Sequence, residues 1–92
     1  MTVNCHNLLC HEVIGLGVKI LESSDSTLQG CDGTIVFETK NTIFIRKDSV
    51  VRQVAKRAAK RLQVQMPSCV CFISGSELIG RPEDRIERLN NR

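Results

Sequence analysis

Short runs of alternating residues, separated by polar turns, are the feature that most constrains how this chain can fold. In the run 34–39, Ile35 and Phe37 occupy alternate positions, and a second alternating run follows at 42–46. Because successive strand side chains point to opposite faces, we expect Ile35 and Phe37 to lie on one face and Val36 and Glu38 on the other. The two residues between the runs, 40–41, are Lys and Asn, which suit a tight turn. The pattern predicts a β-hairpin.

Three more runs extend this pattern to most of the chain. Alternation at 18–22 ends in a polar turn, and the runs 62–66 and 70–72 are separated by a Pro-Ser turn. Five to six short strands within residues 17–79 predict an all-β domain built on one small, highly curved antiparallel sheet or barrel. The chain has 92 residues, so a single domain is expected.

Both ends of the chain carry helical patterns. Apolar residues recur at helical spacing within residues 4–16, and Pro82 is suited to the first turn of a helix over residues 82–90. The apolar stripes are too large for both to pack on so small a barrel, which predicts that a partner protein covers one of them. The alternative is that both belong to the core. The residues concerned are Leu8, Leu9, Val13, Ile14, Ile86 and Leu89.

Positive charge is concentrated in residues 46–61. This block has a single acid, Asp48, and its seven cations give it a net charge of plus six, whereas the whole chain carries plus three. Such a cluster favours a polyanionic partner, and the alternative is a solvated basic loop. Periodicity leaves open whether residues 51–61 form a helix or a strand. The seven cations are Arg46, Lys47, Arg52, Lys56, Arg57, Lys60 and Arg61.

The sequence carries no pattern typical of catalysis. It has no Gly-rich phosphate loop, no Ser/His/Asp arrangement and no dense carboxylate cluster, so we expect no catalytic residue. His6 and His11, the two histidines, are expected to lie on a helix surface or at a partner contact. No apolar run is long enough to span a bilayer, which predicts a soluble, intracellular protein.

The five cysteines indicate free thiols rather than a secreted disulfide scaffold, because their number is odd. The pairs Cys5/His6 and Cys10/His11 suggest a zinc site, but Cys69 and Cys71 have the wrong spacing for a zinc knuckle. We therefore expect no metal ligand in this chain, and we expect Cys69 and Cys71 to act as small apolar residues of a strand.

Three motifs resemble those of the archaeal ribonuclease P protein component 1 family, relatives of the eukaryotic Pop4 subunit. They are NLLCHEVIGL at 7–16, ETKNT at 38–42 and LIGRPEDRIERL at 78–89. The chain departs from the family at 52–61, where RQVAKRAAKR, with Ala55 and Ala58, replaces a strand that leads into a Pro or Gly turn.

The resemblance implies a strongly bent, Sm-like antiparallel barrel in a noncatalytic subunit of ribonuclease P. That ribonucleoprotein removes the 5′ leader from precursor tRNA, and its RNA carries the catalysis. The chain would then bind and stabilise the ribonuclease P RNA, contact precursor tRNA only indirectly, and bind a small zinc-ribbon subunit through its helices. We expect no cofactor in this chain, Mg²⁺ on the catalytic RNA, a cytoplasmic location and a monomer in isolation.

Eleven residues are predicted to bind RNA. Side chains at the hairpin tip can reach phosphates and 2′-hydroxyls, cations of the basic block can offset phosphate repulsion, and two arginines flank Pro82. The alternatives are turn chemistry at the tip and local ion pairs for the arginines. The predicted residues are Lys40, Asn41, Thr42, Arg46, Lys47, Lys56, Arg57, Lys60, Arg61, Arg81 and Arg85.

Two other classes of RNA-binding protein fit the same residues. One is a ring-forming Sm-like RNA chaperone, against which the terminal helices argue. The other is a ribosome-associated barrel that binds structured RNA without a processing role.

Overall fold

The computed structural model describes residue 8 and residues 13–67 and 69–85. Six antiparallel strands form one sheet, and two 3₁₀ turns, Ser26–Leu28 and Gly75–Leu78, connect or follow them. Residues 82–85 form the first turn of an α-helix. The strands are β1 (Gly17–Ser23), β2 (Asp32–Glu38), β3 (Thr42–Lys47), β4 (Val50–Ala55), β5 (Ala59–Gln65) and β6 (Val70–Ile73).

The connection between β4 and β5 forces the sheet to curl. The strand order is β4-β3-β2-β1-β5-β6, so β4 and β5 are four positions apart although only residues 56–58 join them. In a flat sheet that separation would be about 19 Å. The chain from Ala55 to Ala59 can span at most about 14 Å. The sheet must therefore bend until β4 approaches β5, which produces the strongly bent barrel.

A β-bulge in β2 reverses the alternation of side chains. The pairing of β2 with β3 shifts register between Ile35 and Phe37, so one extra residue enters β2 there. Ile35 and Glu38 consequently face the core, whereas Phe37 points outward and is 55% exposed. The prediction that Ile35 and Phe37 lie on one face is wrong, because strict alternation along a strand does not account for the extra residue of a bulge.

The core of the described residues is aliphatic. Fifteen buried apolar residues form one cluster, drawn from all six strands, from Leu8 and Val13 ahead of β1 and from the 3₁₀ turns. None of them is aromatic. The fully inaccessible members include Ile20, Ile35, Ile43, Val54, Leu62, Val64 and Leu78.

The fold class is confirmed: the domain is all-β, with six antiparallel strands in a strongly bent sheet. Residues 51–61, for which periodicity left both helix and strand open, form a strand, a turn and a second strand, because β4 ends at Ala55 and β5 begins at Ala59. Within the described ranges, no backbone ladder joins β4 to β6.

The helices predicted at the two ends fall largely outside the described residues. Of the helix expected at 4–16, residues 13–16 form a turn instead, in which the Leu16 amide donates to the Val13 carbonyl at 3.1 Å. At the other end, residues 82–85 are helical and begin at Pro82, as expected. No helix in the described part of the chain is long and apolar enough to cross a membrane.

The cysteines differ in part from expectation. Cys31 and Cys69 are outside disulfides, as predicted, but Cys71 is disulfide-bonded. Cys69 and Cys71 both pack as small residues with the core: Cys71 is a member of the cluster, and Cys69 is packed against it. Cys5 and Cys10 lie outside the described residues.

Gly75 provides a test of how tightly this end of the barrel is packed. A Cβ at this position would collide with the backbone carbonyl of Lys56 and would lie 2.7 Å from that of Ala59. We expect Gly75→Ala to lower the free energy of unfolding by about 3 kcal/mol, because the backbone atoms that it meets cannot rotate away. Urea unfolding measures the effect.

The matched control is Gly17→Ala. A Cβ at Gly17 would lie 3.4 Å from the Cβ of Gln65 and 4.0 Å from the carbonyl oxygen of Gly33, and both are ordinary contacts. This variant should unfold at nearly the same urea concentration as the wild type. Equal stabilities for the two variants would contradict the close packing of Gly75 on the β4–β5 turn.

Candidate nucleic-acid interface

A buried group of three charged side chains lies beneath the hairpin tip. The Oε1 atom of Glu38 accepts hydrogen bonds from Lys56 Nζ at 2.9 Å and from Arg85 Nη1 at 3.0 Å. The side chains of Lys56 and Arg85 are inaccessible to solvent, and that of Glu38 is 4% exposed. We call these three residues the ion triad.

Local structure brings the ion triad together from three distant segments. Glu38 faces inward because of the bulge in β2. Lys56 opens the β4–β5 turn, and Arg85 ends the described helical turn that follows Pro82. The three residues are up to 47 positions apart in sequence, so their contacts fasten the chain's late segment to the barrel.

The ion triad also binds backbone carbonyls of the surrounding loops. Besides Glu38, the ammonium of Lys56 donates to the carbonyls of Thr39, Lys40 and Gly80 at 2.8, 3.3 and 3.0 Å. Arg85 Nη1 donates to the carbonyls of Leu78 and Gly80 at 3.0 and 2.8 Å. Buried cations require such partners, because an unpaired charge in the interior is strongly destabilising.

Two backbone hydrogen bonds join the same loops to one another. The Lys56 amide donates to the Asn41 carbonyl, and the Gly80 amide donates to the Lys40 carbonyl, both at 2.8 Å. Gly80 has φ +96°, a left-handed conformation that strains residues with a Cβ. The hairpin tip, the β4–β5 turn and the segment at Gly80 are thus held as one unit.

The environment of Glu38 keeps its carboxylate ionised. Burial alone would raise its pKa, but hydrogen bonds from Arg85 and Lys56 and their positive charges outweigh burial. The pKa therefore lies below the ordinary value of 4.5. The second oxygen, Oε2, is buried without a hydrogen-bond partner among the described groups, so the hydrogen bonds to Oε1 dominate.

Each of these three segments has an exposed cation next to, or at, a residue whose backbone is held by these hydrogen bonds. Lys40 lies on the hairpin tip, Arg57 follows Lys56, and Arg81 follows Gly80, and all three side chains are exposed. We call Lys40, Arg57 and Arg81 the loop cations. Because hydrogen bonds hold the backbone next to each loop cation, the relative positions of their backbone atoms are set before any ligand binds.

Two of the predicted RNA contacts are wrong. Lys56 and Arg85 are completely buried and are engaged by Glu38, so neither can reach a phosphate in this structure. Sequence reasoning counted them as surface cations because lysine and arginine are rarely buried unless they are paired. The pairing depends on the inward turn of Glu38 at the bulge, which residue spacing does not show.

The hairpin tip offers polar groups next to Lys40. Asn41 is exposed and Thr42 is half-buried. The alternative explanation for Asn41, a left-handed turn residue, does not apply, since Asp48 is the sole non-glycine residue with positive φ in the described ranges. Because Asn41 is exposed, its side-chain amide is accessible to a ligand.

A second group of cations lies where β3 turns into β4. Arg46 and Lys47 are exposed there, and Lys47 Nζ pairs with Asp32 Oδ1 at 2.8 Å. A hydrogen bond from Lys47 lowers the pKa of Asp32, and the same bond raises the pKa of Lys47. Both side chains are about half exposed or more, so solvent screens this pair. Arg52 joins the group from β4 and was absent from the predicted RNA contacts, although the basic block contains it.

Lys60 and Arg61 form a third exposed group at the start of β5. Arg61 is the register partner of Glu22 on β1, so an acid adjoins this group. The exposed members of the predicted RNA contacts thus lie in three segments: the loops around the ion triad, the end of β3 and the start of β5.

Three of the six residues predicted to bind a partner protein, Leu8, Val13 and Ile14, lie in the described part of the chain. Leu8 and Val13 are 1% and 0% exposed and belong to the core, so predicting them as docking residues was wrong. The reason is that the turn after Val13 is hydrogen-bonded to β2, with the Gly15 amide donating to the Ile35 carbonyl at 2.7 Å. Leu9, Ile86 and Leu89 lie outside the described residues.

Ile14 is the member of that set that the structure leaves exposed, at 40%. It borders a hollow of about 430 Å³, together with Phe37, Thr39, Arg81 and Pro82. The Phe37 ring also contacts the Phe44 ring, with centroids 5.7 Å apart. An apolar surface therefore adjoins the loop cation Arg81.

No metal-binding cluster occurs among the described residues, where no three His, Cys, Asp or Glu side chains come together. The Cys/His pairs at 5–6 and 10–11 lie outside that part of the chain.

A small bent barrel with exposed cations on its loops is typical of proteins that bind structured RNA. The comparisons with known proteins assign the family. The model for the ribonuclease P/MRP subunit p29 family matches residues 6–88, so the chain belongs to that family.

Individual relatives agree with this assignment. The chain is 37% identical to ribonuclease P protein component 1 of Methanocaldococcus jannaschii, across 90% of this chain and 87% of that protein. It is also 37% identical to the protein of the same name in Desulfurococcus amylolyticus, across 98% of this chain and 99% of that protein. Among solved structures, it is similar to Mth11, a homologue of human RNase P protein Rpp29, with 38% identity and a TM-score of 0.60. That match covers 82% of this chain and 97% of Mth11.

Substitution of the shared carboxylate tests the ion triad. Glu38→Gln should lower the free energy of unfolding by about 3–5 kcal/mol, because it leaves two buried cations without their anion. Asp32→Asn is the control: it breaks an exposed pair, and we expect little change. Urea unfolding at neutral pH measures both variants, and equal effects would contradict the assigned role of burial.

The same variant gives a test by pH. Because the folded-state pKa of Glu38 is depressed, its contribution is complete above the pKa of the unfolded chain and is lost as pH falls through the lower folded value. The stability difference between the wild type and Glu38→Gln should therefore be largest near neutral pH and shrink below pH 4.5, the ordinary value. A difference that stays constant down to about pH 2 would contradict this account.

Proposed function

We propose that this chain is a noncatalytic protein subunit of ribonuclease P that binds and stabilises the catalytic RNA during removal of the 5′ leader from precursor tRNA. The observation that carries the proposal is the fixed arrangement of exposed Lys40, Arg57 and Arg81 around a buried ion triad, in a chain of the p29 family. Its contact with precursor tRNA is indirect, through the RNA component.

The physical role is electrostatic. Folding of a large RNA brings phosphates together, and cations at fixed positions offset their repulsion and release condensed counterions. Cations on loops whose backbone is already fixed lose less conformational entropy on binding than cations on flexible loops would. Asn41 and Thr42 add hydrogen-bonding groups that suit 2′-hydroxyls beside the loop cations. Mg²⁺ binds to the RNA and supports cleavage there.

Arg46 and Lys47 extend the interface along β3, and Lys60 and Arg61 extend it along β5. Contacts of this kind fix the position of the protein on an RNA without reading its sequence.

The proposed protein partner is a small zinc-ribbon subunit of ribonuclease P. Its docking site is the hollow lined by Ile14, Phe37 and Pro82, where exposed apolar side chains of the described residues lie together. Phe37 is 55% exposed and lies beside exposed Ile14, and a few large apolar side chains often supply most of the binding energy at an interface.

Reconstitution tests the function directly. The protein, the ribonuclease P RNA of the same organism and the companion subunits are combined, and leader removal is measured with and without this chain. We expect cleavage to increase when the chain is present. Cleavage by the protein alone, or no stimulation of the RNA, would overturn the proposal.

Neutralising the loop cations should weaken RNA binding. For Lys40→Gln/Arg57→Gln/Arg81→Gln, the slope of log affinity against log salt should fall by about one unit per lost phosphate contact. The matched control exchanges the cations instead, as Lys40→Arg/Arg57→Lys/Arg81→Lys, and keeps the slope near that of the wild type. Identical slopes for both triple variants would show that these side chains do not reach phosphates.

Phe37→Ser should weaken binding of the zinc-ribbon subunit at least about 30-fold, as expected for an aromatic residue central to an interface. The control is Phe72→Ser, since Phe72 is 59% exposed and lies on β6, away from the hollow. Calorimetry with the isolated subunit measures both variants. Equal affinities would remove the hollow as the docking site.

Three further expectations remain proposals: a cytoplasmic location, a monomeric state in isolation and relationship to the eukaryotic Pop4 subunit. The alternatives of a ring-forming chaperone and a ribosome-associated protein are less favoured, because the family match spans residues 6–88.

A further inference from the structure

A second hollow lies at the open end of the barrel, between the β3–β4 turn and the segment that precedes β2. Its volume is about 380 Å³, and its lining combines apolar side chains (Cys31, Ile45, Val50) with the cations Lys47 and Arg52 and the amide of Gln29. Pockets for small organic ligands begin at about 300 Å³. The volume therefore suits one nucleotide.

Arg52 occupies an unusual position on the sheet. It pairs in register with Ile45, and two residues further on Val54 pairs with Ile43. Because directly opposed residues of an antiparallel pair share a face, Arg52 lies on the same face of the sheet as the fully buried Val54. At Arg52 this face is open to solvent, because residues 50–53 of β4 are all exposed.

In the part of the chain that the structure describes, no carboxylate pairs with Arg52. Its neighbour Lys47 is already bonded to Asp32 at 2.8 Å, whereas the guanidinium of Arg52 is exposed at the rim. A planar guanidinium with five donors is suited to bind a phosphate through two parallel hydrogen bonds. Arg52 thus supplies an anion contact directly above an apolar surface.

The charge balance of the hollow discriminates between ligands. Its lining contains two cations, Lys47 and Arg52, and two acids, Asp32 and Asp48. A bare phosphate or an acidic peptide would favour a hollow with excess positive charge. One phosphate joined to an uncharged, hydrogen-bonding base fits a balanced lining better.

We propose that this hollow binds a single unpaired nucleotide of an RNA. The base packs against Ile45 and Val50, its polar edge meets Gln29 or Asp48, and its phosphate binds Arg52. Unpaired bases that leave the stack are the usual targets of sequence-dependent RNA recognition. The inference rests on the proposed function, because the nucleotide belongs to the RNA that the loop cations hold.

The test uses the full chain and the ribonuclease P RNA of the same organism. Arg52→Gln should weaken the affinity of the chain for this RNA about tenfold, as expected for the loss of one bidentate arginine–phosphate contact. The matched control is Lys19→Gln, since Lys19 is an exposed cation between the buried residues Val18 and Ile20 and so faces outward. Its effect should stay below about twofold, as expected for one exposed charge. Equal effects of the two variants would overturn the proposal.

Cys31 gives an independent readout, because its partly exposed thiol lines the hollow. Iodoacetamide alkylation, followed by peptide mass spectrometry, should slow at Cys31 in the RNA complex and stay unchanged at Cys69, which precedes β6. At saturating RNA, Arg52→Gln should restore the reactivity of Cys31. Unchanged alkylation of Cys31 on RNA binding would contradict the site, and so would protection by the companion proteins without RNA.

The outcomes separate the two proposals. If the wild-type chain does not bind the RNA, the proposed function fails. If the loop-cation variant loses binding while Arg52→Gln and the alkylation of Cys31 show no effect, the proposed function stands and the nucleotide site fails.

Discussion

The connection between β4 and β5 is the constraint on which the rest of the structure depends. Residues 56–58 join two strands that are four positions apart in the sheet, so the sheet can satisfy its hydrogen bonds only by bending into a barrel. The turn brings Lys56 inside, and a buried cation requires an anion and several acceptors. Glu38 and the carbonyls of Thr39, Lys40 and Gly80 meet that requirement. The bend of the sheet and the ion triad therefore both depend on the short connection between β4 and β5.

This arrangement separates the cations into those that hold the protein together and those that remain exposed to solvent. Lys56 and Arg85 are buried and bind Glu38, while Lys40, Arg57 and Arg81 project from the loops that the ion triad fixes. A ribonucleoprotein subunit benefits from such a division, because a catalytic RNA needs positive charge at definite positions. Membership of the ribonuclease P/MRP p29 family fits that role.

The strand pattern was predictable because alternation in short runs reflects the geometry of a strand directly. The hairpin of β2 and β3, the strands β1, β5 and β6, and the start of a helix at Pro82 all follow from residues that are near in sequence. The family could be predicted from three motifs. The candidate site was predicted only in part: Lys40 and Arg81 are exposed as expected, but Lys56 and Arg85 are not. Their burial depends on a one-residue bulge and on contacts across as many as 47 positions, which local patterns do not encode.

A double-mutant cycle on RNA affinity tests the central claim most directly. It compares Glu38→Gln in the wild-type chain with Glu38→Gln in a chain that already lacks the three loop cations, at a temperature where all variants are folded. If the ion triad acts by positioning those cations, Glu38→Gln should weaken binding about tenfold in the first background and hardly at all in the second. Equal losses in both backgrounds would show that the ion triad and the loop cations act independently, and would contradict the account.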